Sequence, residues 1–169
     1  LLIEIIKSEL LFNKNISVNS SIIATSDLKQ EIFQNAIVNF DIINGKININ
    51  KTKLINDKVG SLEFLDSDLF FKNDELTLNT DIEININNHD ELFSLLQLNK
   101  KSRKIINNIF INLDYNFLTE HFEFNNIKID NKELSDESYR IIQGFNNKNF
   151  NNWNKSRRLL NALFENYDG

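Results

Sequence analysis

Acid–base or metal chemistry near neutral pH would have to start from His89 and His121, the only two histidines, in a chain without cysteine. Each stands alone in its segment, without the H-E-x-x-H spacing that sets two imidazoles over a metal on one helix face. No G-x-S-x-G elbow and no phosphate-binding loop accompanies them. Asp66, Asp68, Asp74, Glu75, Asp81 and Glu83 fall among alternating apolar residues, where a carboxylate is the usual wet face of a strand. No catalytic residue, metal site or cofactor is expected from these groups. The densest cationic run is Lys100, Lys101, Arg103 and Lys104, which would suit a phosphate headgroup or simply keep a loop in water. Lys155, Arg157 and Arg158 beside Trp153 suit either a helix at a membrane surface or a capping helix with a wet basic face.

The elements that must position these groups are read from periodicity. Leu76, Leu78, Ile82, Ile84 and Ile86 alternate with Thr77, Asn79, Asp81, Glu83 and Asn85, with Thr80 as the one gap, which is the period of a half-buried strand. Ile109, Ile111, Leu113, Tyr115 and Phe117 repeat the pattern against Phe110, Asn112, Asp114 and Asn116. Ala36, Val38, Phe40 and Ile42 alternate more weakly and continue as Ile47 and Ile49 after Asn44-Gly45, a hairpin dipeptide. Asn56 to Gly60 reads as a turn before Leu62, Phe64, Leu69 and Phe71, and Asn73-Asp74 as the link to the long strand. The phase of Phe122 and Phe124 against Ile127 and Ile129 slips by one at Asn125-Asn126, so a β-bulge is expected there.

Helical signals are fewer. Asn88 with Glu91 three residues on, then Leu92, Leu95 and Leu96, predicts a short crossover helix. Ser135 would cap a second helix carrying Tyr139, Ile142 and Phe145, and Phe150, Trp153, Leu160, Leu163, Phe164 and Tyr167 would form one face of a third. Leu1 to Phe12 and Ile16 to Ala24 suggest a hairpin, and Asp27 to Gln34 a helical turn or irregular connection. The expected fold is mainly β: an antiparallel meander sheet, open and groove-like, with one crossover helix and two C-terminal helices. Residues 1–133 would be a β-rich groove domain and residues 134–169 a helical cap.

Composition agrees with that class. The chain of 169 residues is 41% hydrophobic and 25% charged, enough for one sizeable core, and its 30 Asn and 24 Ile supply turns and strands. A net charge of −5 opposes a nucleic-acid partner, since phosphate binding needs a basic footprint. The opening apolar run is interrupted by Glu4, Lys7 and Glu9 and falls short of the ~20 residues that cross a bilayer. It also lacks the basic flank and cleavage site of a signal peptide. With no methionine, the chain reads as a fragment, and any membrane anchor of its parent would lie outside it.

Taken in order, three segments resemble the C-terminal region of the AsmA-like family. They are Asn44 to Ile49 with Gly60 to Leu69, Asn73 to Leu76 with its long strand, and Leu92 to Leu98 with Lys100 to Lys104; Ile127 to Asp130 completes the pattern. Each is a low-specificity β motif alone, and the resemblance spans roughly residues 35–130. It implies a periplasmic protein anchored in a Gram-negative inner membrane through an N-terminal segment, with an apolar β-groove that carries phospholipid or another acyl lipid toward the outer membrane. On that reading Leu76, Leu78, Ile82, Ile84, Ile86, Ile109, Ile111, Leu113, Tyr115 and Phe117 contact acyl chains, and the Lys100–Lys104 run meets headgroups. The alternative is a structural β-scaffold or adhesin-like surface module in which the same residues are a dry core.

Overall fold

The computed structural model describes residues 10–26, 32–72, 75–146 and 153–167. Among these described residues nine strands form one antiparallel sheet: β1 (Ser17–Thr25), β2 (Asn35–Ile43), β3 (Lys46–Asn48), β4 (Lys53–Asn56), β5 (Gly60–Lys72), β6 (Glu75–Ile86), β7 (Asn108–Asn116), β8 (His121–Ile129) and β9 (Lys132–Glu133). The spatial order is β1-β2-β3-β5-β6-β7-β8-β9, with β4 also lying between β2 and β5. Three helices follow the chain: α1 (His89–Leu96), α2 (Asp136–Gln143) and α3 (Trp153–Asn166). The expected mainly antiparallel meander with one crossover helix and two C-terminal helices is what the chain forms.

Local chemistry explains most boundaries. Asn44 and Gly45 take φ of 53° and 76°, the left-handed pair that a two-residue hairpin between β2 and β3 requires. A Cβ on Gly45 would stand 2.2 Å from the Phe12 carbonyl oxygen, so glycine also lets the 3-10 turn Leu10–Phe12 approach. Asn56 Oδ1 accepts from the amides of Lys58 (3.0 Å) and Val59 (2.9 Å), which closes the turn into β5. Asn88 caps α1 by accepting from the Glu91 amide, and Ser135 caps α2 by accepting from the Ser138 amide.

Side chains of the even-numbered residues of β2, β6 and β1 lie on one face, and cross-strand pairs carry that face across the sheet. Ile84 stands opposite Leu62 and Ile109, and Ile109 opposite Ile129; further along, Leu78 stands opposite Leu69 and Tyr115. Two bulges keep this face consistent. Asn125 is skipped where Asn126 pairs with Asn112 and Phe124 with Leu113, as the phase slip predicts. Leu65 is skipped in β5, where Phe64 pairs with Ile82 and Asp66 with Asp81.

The second bulge lies beside a break in the strand between β2 and β5. Residues between β3 and β4 bulge while staying tied to both neighbours: Lys51 donates to the Phe64 carbonyl (2.7 Å), and the Phe64 amide donates to the Thr52 carbonyl (2.9 Å). Thr52 Oγ1 replaces a ladder rung by accepting from the Asn39 amide (2.9 Å) and donating to the Asn39 carbonyl (3.1 Å). Ser67 Oγ accepts from the Ile49 amide at 2.8 Å and donates to Asn50 Oδ1 at 2.7 Å. Thr80, the gap in the alternation of β6, stands opposite Ser67 and is 1% exposed, with its hydroxyl on the Asp66 carbonyl at 3.0 Å. Satisfying these groups internally is what allows polar residues in a buried position.

The polar residues thus separate two apolar clusters on one face. The larger joins Ile82, Ile86, Ile109, Ile111, Leu113, Phe124, Ile127 and Ile129 to α1, α2 and α3. The smaller joins Ile42, Ile47, Leu69 and Leu76 to Leu11, Phe12, Ile16 and Phe40. The C-terminal helices share their core with the sheet: Leu159, Leu163 and Phe164 are buried in the larger cluster.

Candidate functional site

The opposite, polar face is knitted by asparagines. Asn112 Nδ2 donates to Asp81 at 2.6 Å, Asn79 donates to Asp114, and Asn116 donates to Glu75, so these carboxylates are occupied by cross-strand amides. His121 lines a shallow polar recess of about 240 Å³ with Lys72, Glu75, Asp114 and Glu123. His89 lies near the Ile106 carbonyl, with Nε2 at 3.1 Å, and beside the Phe93 ring. Among the described residues no group of three or more His, Asp or Glu is placed to hold a metal ion.

The apolar face holds the larger feature. Between the sheet, α1 and α3 lies a cavity of about 520 Å³, within the range of pockets that take small organic ligands. Its floor is Ile84 and Ile86 from β6, Ile109, Ile111 and Leu113 from β7, and Phe122 and Phe124 from β8. Leu92, Leu95 and Leu96 of α1 and Trp153, Ser156 and Leu160 of α3 form the roof, while Ile32, Phe33, Val59 and Leu62 close one side. Helix α3 is held over the floor by Asn161 Nδ2, which donates to the Leu96 carbonyl at 3.2 Å, and by Phe164 packed edge-on against Phe93. The space is lined almost wholly by carbon, which suits an apolar guest.

The ten residues expected to form the groove are divided by this arrangement. Ile84, Ile86, Ile109, Ile111 and Leu113 line the cavity. Ile82 is in the larger cluster but off the cavity wall, and Leu76 is buried in the smaller one with Leu78 and Phe117 packed against it. Tyr115 packs edge-on against Phe117 and at a tilt against Phe122, at centroid distances of 4.8 and 4.6 Å. Burial holds its phenol above the usual value of 10.0, and the Glu120 charge adds to the shift. The face is therefore covered at both ends, by helices at one and by the Leu10–Phe12 turn at the other, and a cavity that stays partly open to solvent lies between the sheet and the helices.

The basic run is not brought to the cavity: none of Lys100, Lys101, Arg103 and Lys104 lines it. Lys100–Ser102 is a 3-10 turn, and Arg103 bends back, with Nε donating to the Leu98 carbonyl at 3.3 Å and the guanidinium 5.7 Å over the Phe93 ring. Of the stripe assigned to the third helix, Trp153 and Leu160 are half-buried and Leu163, Phe164 and Tyr167 are buried, while Phe150 lies outside the described residues. Leu1 to Glu9, Asp27 to Glu31 and Asn73-Asp74 also lie outside them. The expected hairpin of Leu1 to Phe12 with Ile16 to Ala24 falls mostly outside the described residues; within them Leu10–Phe12 is a 3-10 turn and β1 pairs with β2 over its whole length.

Sequence reasoning did not pick out Ile32, Phe33, Val59 or Ile106. The first three reach the cavity from connections without periodicity, and Ile106 is wholly buried in the loop before β7. No described helix is long and apolar enough to cross a membrane. No family model matches the chain, and neither a curated protein nor a solved structure matches it.

Proposed function

We propose that this chain is a non-enzymatic lipid-binding module that holds an acyl chain in the cavity between the sheet, α1 and α3, within a periplasmic, inner-membrane-anchored protein that moves lipid between envelope membranes. The observation that carries the binding reading is the carbon-lined space of about 520 Å³. Each methylene transferred there is worth about 0.8 kcal/mol, so an acyl chain needs no dedicated polar contact to be retained. The envelope setting rests on the resemblance to the AsmA-like family in residues 35–130. A structural scaffold is the second reading, favoured by the near-complete burial of Ile106, Ile109, Ile127 and Ile129 under the helices.

Titration with a fluorescent long-chain fatty acid separates the two. The lipid reading expects saturable binding with energy transfer from Trp153, the single tryptophan, which lines the cavity. Ser156→Trp, which fills the space from α3, should abolish it. Absence of saturable binding, or binding untouched by that substitution, supports the scaffold.

A further inference from the structure

The cavity is long and narrow. Its floor follows β7 through Ile109, Ile111 and Leu113 and continues to Phe122, which stands opposite Tyr115. At ~3.3 Å per residue, the distance from the level of Ile109 to that of Tyr115 is about 20 Å. A space of about 520 Å³ spread over that length is about 25 Å² in section, or about 5 Å across, close to the ~4.8 Å at which extended chains lie side by side. Volume gives the same measure. A liquid water occupies about 30 Å³, and a methylene, also one heavy atom with its hydrogens, is of similar size, so about 17 carbons fill the space. A second chain alongside the first would need about twice the section.

The polar side chains that border the cavity are engaged elsewhere. Asn56 Nδ2 donates to the Ile32 carbonyl at 2.6 Å, while its Oδ1 holds the amides of Lys58 and Val59. Asn85 lies on the polar face of the sheet, where Nδ2 donates to Glu83 at 3.0 Å and Oδ1 accepts from Asn108 at 3.2 Å. Ser61 stands opposite Asn85 and shares that face. Among the described residues, the Ser156 hydroxyl and the Trp153 indole are the polar groups left at the wall, and no lining residue is charged. Placed polar groups are what fix a headgroup in a pocket, so a wall of this kind selects by the size and number of chains.

Resting on the lipid-binding reading, we infer that the cavity takes one unbranched acyl chain of about 16–18 carbons laid along β7, whatever headgroup the chain carries. The headgroup stays in solvent at the open side, and a phospholipid enters by one of its two chains. Each methylene added up to that limit strengthens binding about fourfold, the equivalent of the ~0.8 kcal/mol of its burial. Carbons beyond the limit remain in water and add nothing.

The experiment is displacement of the fluorescent fatty acid from the full chain by saturated fatty acids of about 8 to about 22 carbons, kept below their micelle concentrations. Affinity should climb about fourfold per methylene and level off at about 16–18 carbons. Native mass spectrometry at saturation should show one fatty acid per protein. At about 16 carbons the free acid, the alcohol and the lysophospholipid should displace within a few-fold of one another. Leu113→Phe adds about three carbons to the floor toward its Phe122 end and should lower the plateau by about that number. If none of these lipids binds, the lipid-binding reading fails and this inference with it. Affinity that climbs past about 20 carbons, two fatty acids per protein, or a large preference for one headgroup overturns the single-chain site and leaves lipid binding standing. An unchanged plateau in Leu113→Phe does the same, and if that variant unfolds, the wild-type series decides alone.

Discussion

Replacing Ser156 by leucine distinguishes a real void from a packed core by the sign of the stability change. Ser156 sits half-buried on the α3 side of the cavity, with its side chain at the cavity wall. Leucine adds the equivalent of about three carbons, and at ~0.8 kcal/mol each their burial in empty space should stabilise the fold by roughly 2 kcal/mol. Were the same space already filled, the larger side chain would force strain costing about 1–3 kcal/mol. Helix propensity adds only a few tenths of a kcal/mol, and Asn154→Leu, at an exposed site on the same helix, measures that part separately. Urea unfolding is the assay. With a slope of about 2 kcal/mol/M, Ser156→Leu should raise the midpoint by about 1 M beyond the Asn154→Leu control. A midpoint below the control would refute the cavity.

Other substitutions test the devices that shape the sheet. Thr80→Val keeps the side-chain shape but strands the Asp66 carbonyl at the β5 bulge, and should cost about 1–3 kcal/mol in the same unfolding assay; a neutral result would mean that water replaces the hydroxyl. Removing Gln143 and Asn146 side chains together should speed hydrogen exchange at the Phe124 amide, and unchanged exchange would show that these residues do not seal the β8 edge. The raised pKa of Tyr115 implies that below pH 10 the phenol is neutral in both states and contributes no pH dependence. Above pH 10 the unfolded chain ionises first, so stability falls as pH rises toward the folded-state value. Tyr115→Phe should flatten that decline, and an identical decline in both proteins would place the effect elsewhere.

Elements whose face alternates over many residues were legible in the amino-acid order. β6 and β7 show period two, Asn88 and Ser135 mark helix starts, and the slip at Asn125-Asn126 marks a bulge, because each of these is set by local geometry. The Leu65 bulge and the break between β3 and β4 were not, since Thr52 and Ser67 support them through bonds to residues 13 and 18 positions away. Periodicity also gives the facing of Ile84 and Leu113 without telling what lies above them. Whether helices close over a strand face depends on how α1 and α3 meet, and Asn161 on the Leu96 carbonyl is a contact across 65 positions. The basic run at Lys100 to Lys104 was conspicuous as charge, yet its place in space follows from the Arg103 contact with Leu98 and Phe93.

Native mass spectrometry of the purified chain tests the central claim most directly, by asking whether the cavity roofed by Leu95, Trp153 and Leu160 holds lipid. The account predicts a species one acyl-lipid mass above the bare chain, present in the wild type and absent in Ser156→Trp. A wild-type spectrum containing only the bare chain after incubation with phospholipid, or a lipid adduct equally abundant in the filled variant, would contradict it.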